Sequence, residues 1–206
     1  MELVADTISV AGTYAPLLQT TSFVAPPARV TVVAGDPGYG HVALALALGG
    51  RIPLRTGHVL LDGAEDVAAQ REHVSLVDVP DVSAPEDGLA VREVVAEDLA
   101  FAGRGGRAKD VEDFLAAHGV QGHGHERFEE LTTADRVRVL TGAAALRSQT
   151  RVLVLAHPDR RGGDPHEWWP AVEALAADGL TVIVQLTPPT VRQLGLPVRY
   201  ELGVRA

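Results

Sequence analysis

The chain has 206 residues, 46% hydrophobic and only 4% aromatic, with a formal charge of −9 and a pI near 5.3. That length buries a substantial core, built here from Val, Leu and Ala, while the acidic balance disfavours non-specific nucleic-acid binding, which depends on neutralising phosphates. The absence of cysteine excludes disulfides, thiol catalysis and Cys-ligated zinc, and suits a reducing cytoplasm.

The opening "MELVADTISV" shows neither the basic nor the apolar region of a signal peptide. The longest apolar run, from Val42, is about half of the ~20 residues a spanning helix needs. A soluble, cytoplasmic chain is expected, peripheral to a membrane only through a partner. The first thirty residues alternate apolar with polar or run β-branched, with Pro26 and Pro27 marking a turn, and predict β-structure. Val30 to Ala34 predicts a strand entering a glycine-rich turn, with a helix from about His41 to Leu48. "GHVLLDG" (Gly57 to Gly63) predicts a short strand ending in an Asp-Gly turn, and His73 to Val79 another strand.

From Ala84 to Gly142 three segments carry apolar residues at helical spacing, the first two separated by Gly103, Gly105 and Gly106. "TRVLVLAHP" (Thr150 to Pro158) and "LTVIVQL" (Leu180 to Leu186) are near-continuous apolar runs that fit strands buried on both faces, with a helix through "PHEWWPAVEALAADG" between them. No internal repeat or low-complexity segment interrupts the chain. The expected fold is α/β: one domain over 1–206, with a parallel sheet, an antiparallel β-portion at the start and a helical insertion over about 84–142.

The motifs sharpen this. A strand, "GDPGYG", a helix, "GHVLLDG", a helical insert, "ELTTADRVRV", "RVLVLAHPDRRGGDP" and "GLTVIVQLT" follow one another in an order that resembles the nucleotide-binding domain of ABC transporters, over nearly the whole chain. The resemblance implies a P-loop, RecA-like α/β core, an antiparallel β-subdomain and a shortened helical subdomain. It also implies an ATP site, and the matches fall on scaffold positions while the departures fall on reactive ones.

The family's phosphate loop follows G-x-x-G-x-G-K-[ST]-[ST]. Gly35, Gly38 and Gly40 stand, with Asp36, Pro37 and Tyr39 between them, so the backbone can still aim N–H groups at an anion beside a helix N-terminus. His41 takes the lysine position, Val42 the Mg²⁺-binding hydroxyl and Ala43 the next hydroxyl. A hydrogen bond to a charged group contributes roughly 1.5–3 kcal/mol, so losing the lysine weakens binding ~10- to 100-fold. A protonated His41 can replace part of that, and Val42 nothing. A glycine turn merely linking strand to helix is the alternative reading.

By the same resemblance, Ala156 and His157 stand where the family has a metal-holding aspartate and a glutamate that polarises water. Imidazole can act as a base, but phosphoryl transfer depends on the metal to neutralise charge. The plainer role of His157 is to close a buried strand. The signature L-S-G-G-Q, which meets the partner subunit's γ-phosphate, reads Leu131, Thr132, Thr133, Ala134 and Asp135. Thr133 and Ala134 add Cβ atoms, Asp135 adds negative charge, and Thr132 or Thr133 suits a helix cap. Asp78 or Val79 stands for the family's glutamine, Thr187 for its switch histidine, and Asp164 and Pro165 for the loop bridging subunits. Tyr14 lies where an aromatic stacks on adenine, with packing as the alternative. His118, His123 and His125, near Glu126 and Glu129, compose a possible Zn²⁺ or Ni²⁺ cluster or a solvated loop.

The reading is therefore a catalytically inactive ABC ATPase-like protein, an accessory, regulatory or scaffold subunit. No intact catalytic residue, no metal and no obligatory cofactor are expected, and ATP binds without Mg²⁺ at low affinity if at all. The expected partners are a transmembrane transporter subunit, a second ABC ATPase or a homodimer, and no nucleic acid. The alternative is a slow nucleotide hydrolase using His41 and His157.

Overall fold

A computed structural model describes residues 1–203. The β-rich start forms β1 (Leu3–Val10) and β2 (Leu18–Ala25), and the strand after the glycine turn is β3 (Val30–Ala34). Helix α1 (Tyr39–Leu48) follows, then β4 (Thr56–Leu61). β1 pairs antiparallel with both β2 and β4 in a three-stranded sheet of order β2-β1-β4. The turn after β4 places Asp62 and Gly63 at φ 47° and 82°, the left-handed conformation that favours these two residue types.

Three helices fill the insertion. After α2 (Val67–His73) and β5 (Val74–Val77) come α3 (Val91–Phe101), α4 (Ala108–Ala117) and α5 (Thr133–Ala145). The chain then returns through β6 (Val152–Ala156), α6 (Trp169–Ala177), β7 (Thr181–Leu186), α7 (Pro188–Gln193) and β8 (Tyr200–Glu201). The second sheet is five-stranded, of order β5-β6-β7-β3-β8, with every pairing parallel.

Strand alternation divides the core between the two faces of this sheet. Leu153 and Leu155 of β6 and Val182 and Val184 of β7 pack with Val95, Phe128, Val139 and Trp168 on the helical side. Val152, Val154 and Ile183 pack instead with Leu3, Ile8, Leu44 and Leu48 towards the antiparallel sheet. Both strands are buried throughout, in keeping with their near-continuous apolar runs, and β7 carries the buried polar Thr181 and Gln185 as well.

Some boundaries differ from the sequence expectation. α1 begins at Tyr39, so Gly40 lies inside the helix. β5 ends at Val77, because Asp78 turns into the left-handed region at φ 55°. The helix expected through "PHEWWP" is divided: Asp164 caps a 3-10 turn at Pro165–Glu167, and α6 starts at Trp169. α2, α7 and β8 are elements that hydrophobic periodicity does not reveal. No helix among the described residues is long and apolar enough to cross a membrane.

Candidate functional site

The glycine turn sits at the carboxyl end of β3, where a parallel sheet normally receives ligands. Two of its glycines have packing reasons to lack a side chain. A Cβ on Gly35 would lie 2.7 Å from Cβ of Leu202, and one on Gly40 would lie 2.7 Å from Cδ2 of the same leucine. Leu202 follows β8, whose two residues pair with Val33 and Ala34, and its N–H donates to the carbonyl of Ala34. The chain's own C-terminal strand is thus seated against the loop. Gly38 faces open space, and Asp36, Pro37, Gly38 and Tyr39 are exposed.

His41 points inward. It is 2% exposed, with Nε2 3.2 Å from the carbonyl oxygen of Gly35 and Nδ1 3.0 Å from Oε1 of Gln185 on β7. Both ring nitrogens are therefore engaged inside the protein. The ring stacks on His157, with centroids 4.4 Å apart and planes 22° from parallel. Val42 is half-buried and Ala43 buried on the same side of the sheet, and neither carries an atom able to bind a metal ion.

His157 follows β6 in the left-handed conformation, φ 48° and ψ 57°, a region histidine enters more readily than most residues. Burial above all, with the neighbouring His41 and, less, Arg160, lowers its pKa to about 4 against the opposing pull of Asp159. It is neutral at physiological pH. Its Nε2 lies 3.5 Å from Oδ1 of Asp159 without forming a hydrogen bond, and both atoms are buried and unpartnered. The other oxygen of Asp159 accepts from the backbone N–H and the hydroxyl of Thr187, at 2.9 and 2.6 Å. Ala156 is fully buried and supplies no ligand atom.

Sequence reasoning overlooked a buried ionic network beside this pair. Asp78, at the end of β5, accepts from Arg136 of α5 (Nε at 3.1 Å, Nη2 at 2.6 Å) and from Arg160 at 2.9 Å. Arg136 is 2% exposed, lies 4.7 Å from the centre of the Phe128 ring, and has Asp87 3.6 Å from Nη1. Arg160 also donates to the carbonyls of Ala156, His157 and Asp78. One carboxylate thus ties the helical insertion to the turn that follows β6. Nothing in the sequence spacing marks Arg136 or Arg160 as partners of Asp78.

The remaining candidates scatter. Thr132 caps α5, its hydroxyl accepting from the N–H of Asp135 at 3.1 Å and donating to that residue's carboxylate at 2.7 Å. Leu131, Thr133 and Ala134 are buried, so this segment presents a cap rather than an open glycine surface. Tyr14 is fully exposed, so the packing alternative for it is corrected. The three clustered histidines diverge: His118 packs at a tilt against the Phe114 ring, His123 bonds Glu126 at 2.8 Å, and His125 contacts Arg92. No group of three metal-ligating side chains is assembled among the described residues. An open cleft of about 620 Å³ lies well away from the loop, between α3 and α4, lined by Ala96, Val111, Leu115, Arg92 and His125.

No protein-family model matches the chain, and no curated protein matches it significantly by sequence. Solved structures do. One described as an ABC transporter ATP-binding protein from Pyrococcus furiosus superimposes with a TM-score of 0.65 at 16% identity, covering 91% of this chain and 92% of that one. The fold is that of an ABC ATP-binding cassette. The ATP-binding subunit of an ABC transporter gives a TM-score of 0.65 at 15% identity over 94% of this chain and 82% of that one. A nucleotide-free ATP-binding cassette from an ABC transporter gives 0.66 at 17% identity over 93% and 84%. The cassette architecture expected from motif order is therefore present, with both the antiparallel sheet and the parallel core in place.

Proposed function

We propose that this chain is a non-hydrolysing ABC cassette, acting as an accessory, regulatory or scaffold subunit through the surfaces of its fold. The observation that carries this reading is the inward orientation of His41, whose two ring nitrogens are engaged by Gly35 and Gln185. A lysine in that place extends towards phosphate oxygens. This imidazole closes the loop upon itself. Val42 and Ala156 provide no oxygen for Mg²⁺, and phosphoryl transfer without a metal lacks the charge that stabilises its transition state. The residues present do not fit Mg²⁺-ATP.

Partnership follows from the same reading. Relatives of this fold are described as ATP-binding subunits of ABC transporters, and a transmembrane transporter subunit, a second ABC ATPase or another copy of this chain is the partner proposed. Location at the cytoplasmic side of a membrane, held by that partner, belongs to the proposal. The hydrolase alternative has His41 and His157 in contact in its favour, but a neutral ring with a pKa of about 4 is a weak base near neutral pH.

Calorimetric titration with ATP, with and without Mg²⁺, tests the reading. Weak binding that ignores Mg²⁺, or none at millimolar nucleotide, is expected. Mg²⁺-dependent micromolar binding, or phosphate release abolished by His157→Ala, overturns it.

A further inference from the structure

The parallel sheet is left unfinished along the first half of β3. Val182 donates its N–H to the carbonyl of Arg29, and Gly35 donates to that of Leu186, so the odd-numbered positions turn their backbone groups towards β7. The even-numbered positions, Val30, Val32 and Ala34, turn theirs to the other side. There β8 pairs only with Val33 and Ala34, and the N–H of Leu202 closes on the carbonyl of Ala34. Before Val33 the pairing stops. Among the described residues, no hydrogen bond from a loop or side chain reaches the N–H or C=O of Val30 or the N–H of Val32.

This edge opens into a cleft of about 500 Å³. Val30 and Val32 line it with Trp169 and Glu173 of α6 and with Pro197 and Arg199 of the segment leading into β8. Both valines and Trp169 are half-buried, so the cleft is apolar along the strand and still reachable. Pro197 has no N–H, so the chain's own approach to β8 has no donor for the edge at that position. The cleft is also charged against the rest of the molecule. Arg29 and Arg199 are exposed in its lining, neither has a carboxylate partner among the described residues, and Glu173 is the one acid beside them, in a chain of net charge −9.

We propose that the open edge of β3 binds an extended, acidic segment of a partner protein, which adds to the sheet as a short strand beside Val30 and Val32. The groups left open are backbone groups at strand spacing, and an extended backbone is what satisfies them. Side chains of such a segment alternate, so one set packs on Trp169 while the other faces away. Its contact along the edge spans three residues, about 10 Å, and a carboxylate on it pairs with Arg29 or Arg199. A second copy of this chain fits poorly, because pairing edge to edge sets these arginines against their own counterparts.

The edge gives the proposed scaffold role a physical surface, yet the two fail separately: nucleotide hydrolysis would refute the function and leave the edge standing. The probe is a blocked hexapeptide of alternating valine and threonine with one central aspartate, added to the nitrogen-15-labelled full chain. In the free chain the amides of Val30 and Val32 are expected to exchange quickly and that of Thr31, bonded to β7, slowly. The peptide should shift and protect the first two and leave the exchange of Thr31 unchanged. Methylating the peptide nitrogens one at a time should abolish this protection at alternate positions only. Arg29→Gln combined with Arg199→Gln should weaken the aspartate peptide roughly two- to fivefold and its asparagine counterpart not at all. Absent protection at millimolar peptide, equal loss from every methylated nitrogen, or equal weakening of the two peptides overturns the proposal. Slow exchange of Val30 and Val32 in the free chain also overturns it: independent of protein concentration, it means that the chain's own segment closes the edge, and rising with concentration, that a second copy does.

Discussion

Acidification from about pH 7 to about pH 4 protonates His157 in the unfolded chain before it does so in the folded one. The folded pKa is lowered to about 4, first by burial and then by the charge of His41, against about 6.5 for a free imidazole. The unfolded state therefore binds the extra proton across this interval. The stability conferred by a neutral His157 is complete above about pH 6.5 and is lost as the pH falls towards about 4. A difference of about two and a half units corresponds to about 3 kcal/mol, a large share of the 5–15 kcal/mol that holds a typical domain. Carboxylates also titrate at the acid end, so the measurement is a difference between two proteins. Urea unfolding would be followed from about pH 7 to about pH 4 for the wild type and for His157→Asn, since asparagine tolerates the left-handed backbone of this position. The wild type is expected to lose about 3 kcal/mol more than the variant over that range. Parallel stability curves, or a His157 ring resonance titrating near 6.5, would show that the reasoning about burial is wrong.

Other consequences can be checked in the same apparatus. Asp78→Asn leaves the buried guanidinium of Arg136 and the partly buried one of Arg160 without their carboxylate and should cost about 3–5 kcal/mol, read by urea unfolding at neutral pH; asparagine again suits the left-handed backbone. Gly35→Ala should cost about 1–3 kcal/mol without any nucleotide present, because its Cβ meets Cβ of Leu202, which no rotamer change can move. Gly40→Ala should cost less, since the atom it meets is the movable Cδ2, and equal costs would contradict the packing account. Thr132→Ala should cost about 1 kcal/mol through loss of the α5 cap, measured by thermal unfolding. Zn²⁺ and Ni²⁺ should leave the melting temperature unchanged, and a rise with either would restore the reading of His118, His123 and His125 as a metal cluster.

The two faces of the parallel sheet were legible in sequence because β6 and β7 are buried on both sides and so read as near-continuous apolar runs, with Gln185 the polar exception inside β7. Helices α3 and α4 were legible because each buries one apolar stripe, whereas α5 is buried nearly all round and was legible from the helical spacing of its apolar residues. β8 was not: it pairs only two residues, too few for any period, and its place is set by the end of β3 and the glycines beneath Leu202. α2 has seven residues, and its signal was Asp66 capping the N–H groups of Ala68 and Ala69 rather than a hydrophobic repeat. At the site, the sequence pointed to the glycine loop and to the end of β6 but not to the partners of their side chains. Gln185 lies in an apolar strand, and Arg136 and Arg160 look like surface arginines. Their importance comes from partners 144, 58 and 82 residues away in the chain.

The glycines of the loop carry a further lesson about such a cassette. Glycine in a phosphate loop is ordinarily explained by the close approach of backbone to phosphate. Here Gly35 and Gly40 are held by Leu202, and Gly35 also by the ring of His41, 3.3 Å from where its Cβ would stand. These constraints persist when no phosphate binds. A glycine loop followed by an inward-facing imidazole can therefore keep its frame for packing alone. The frame and the chemistry are separable, and at this site the frame is what the contacts of Leu202, His41 and Gln185 maintain.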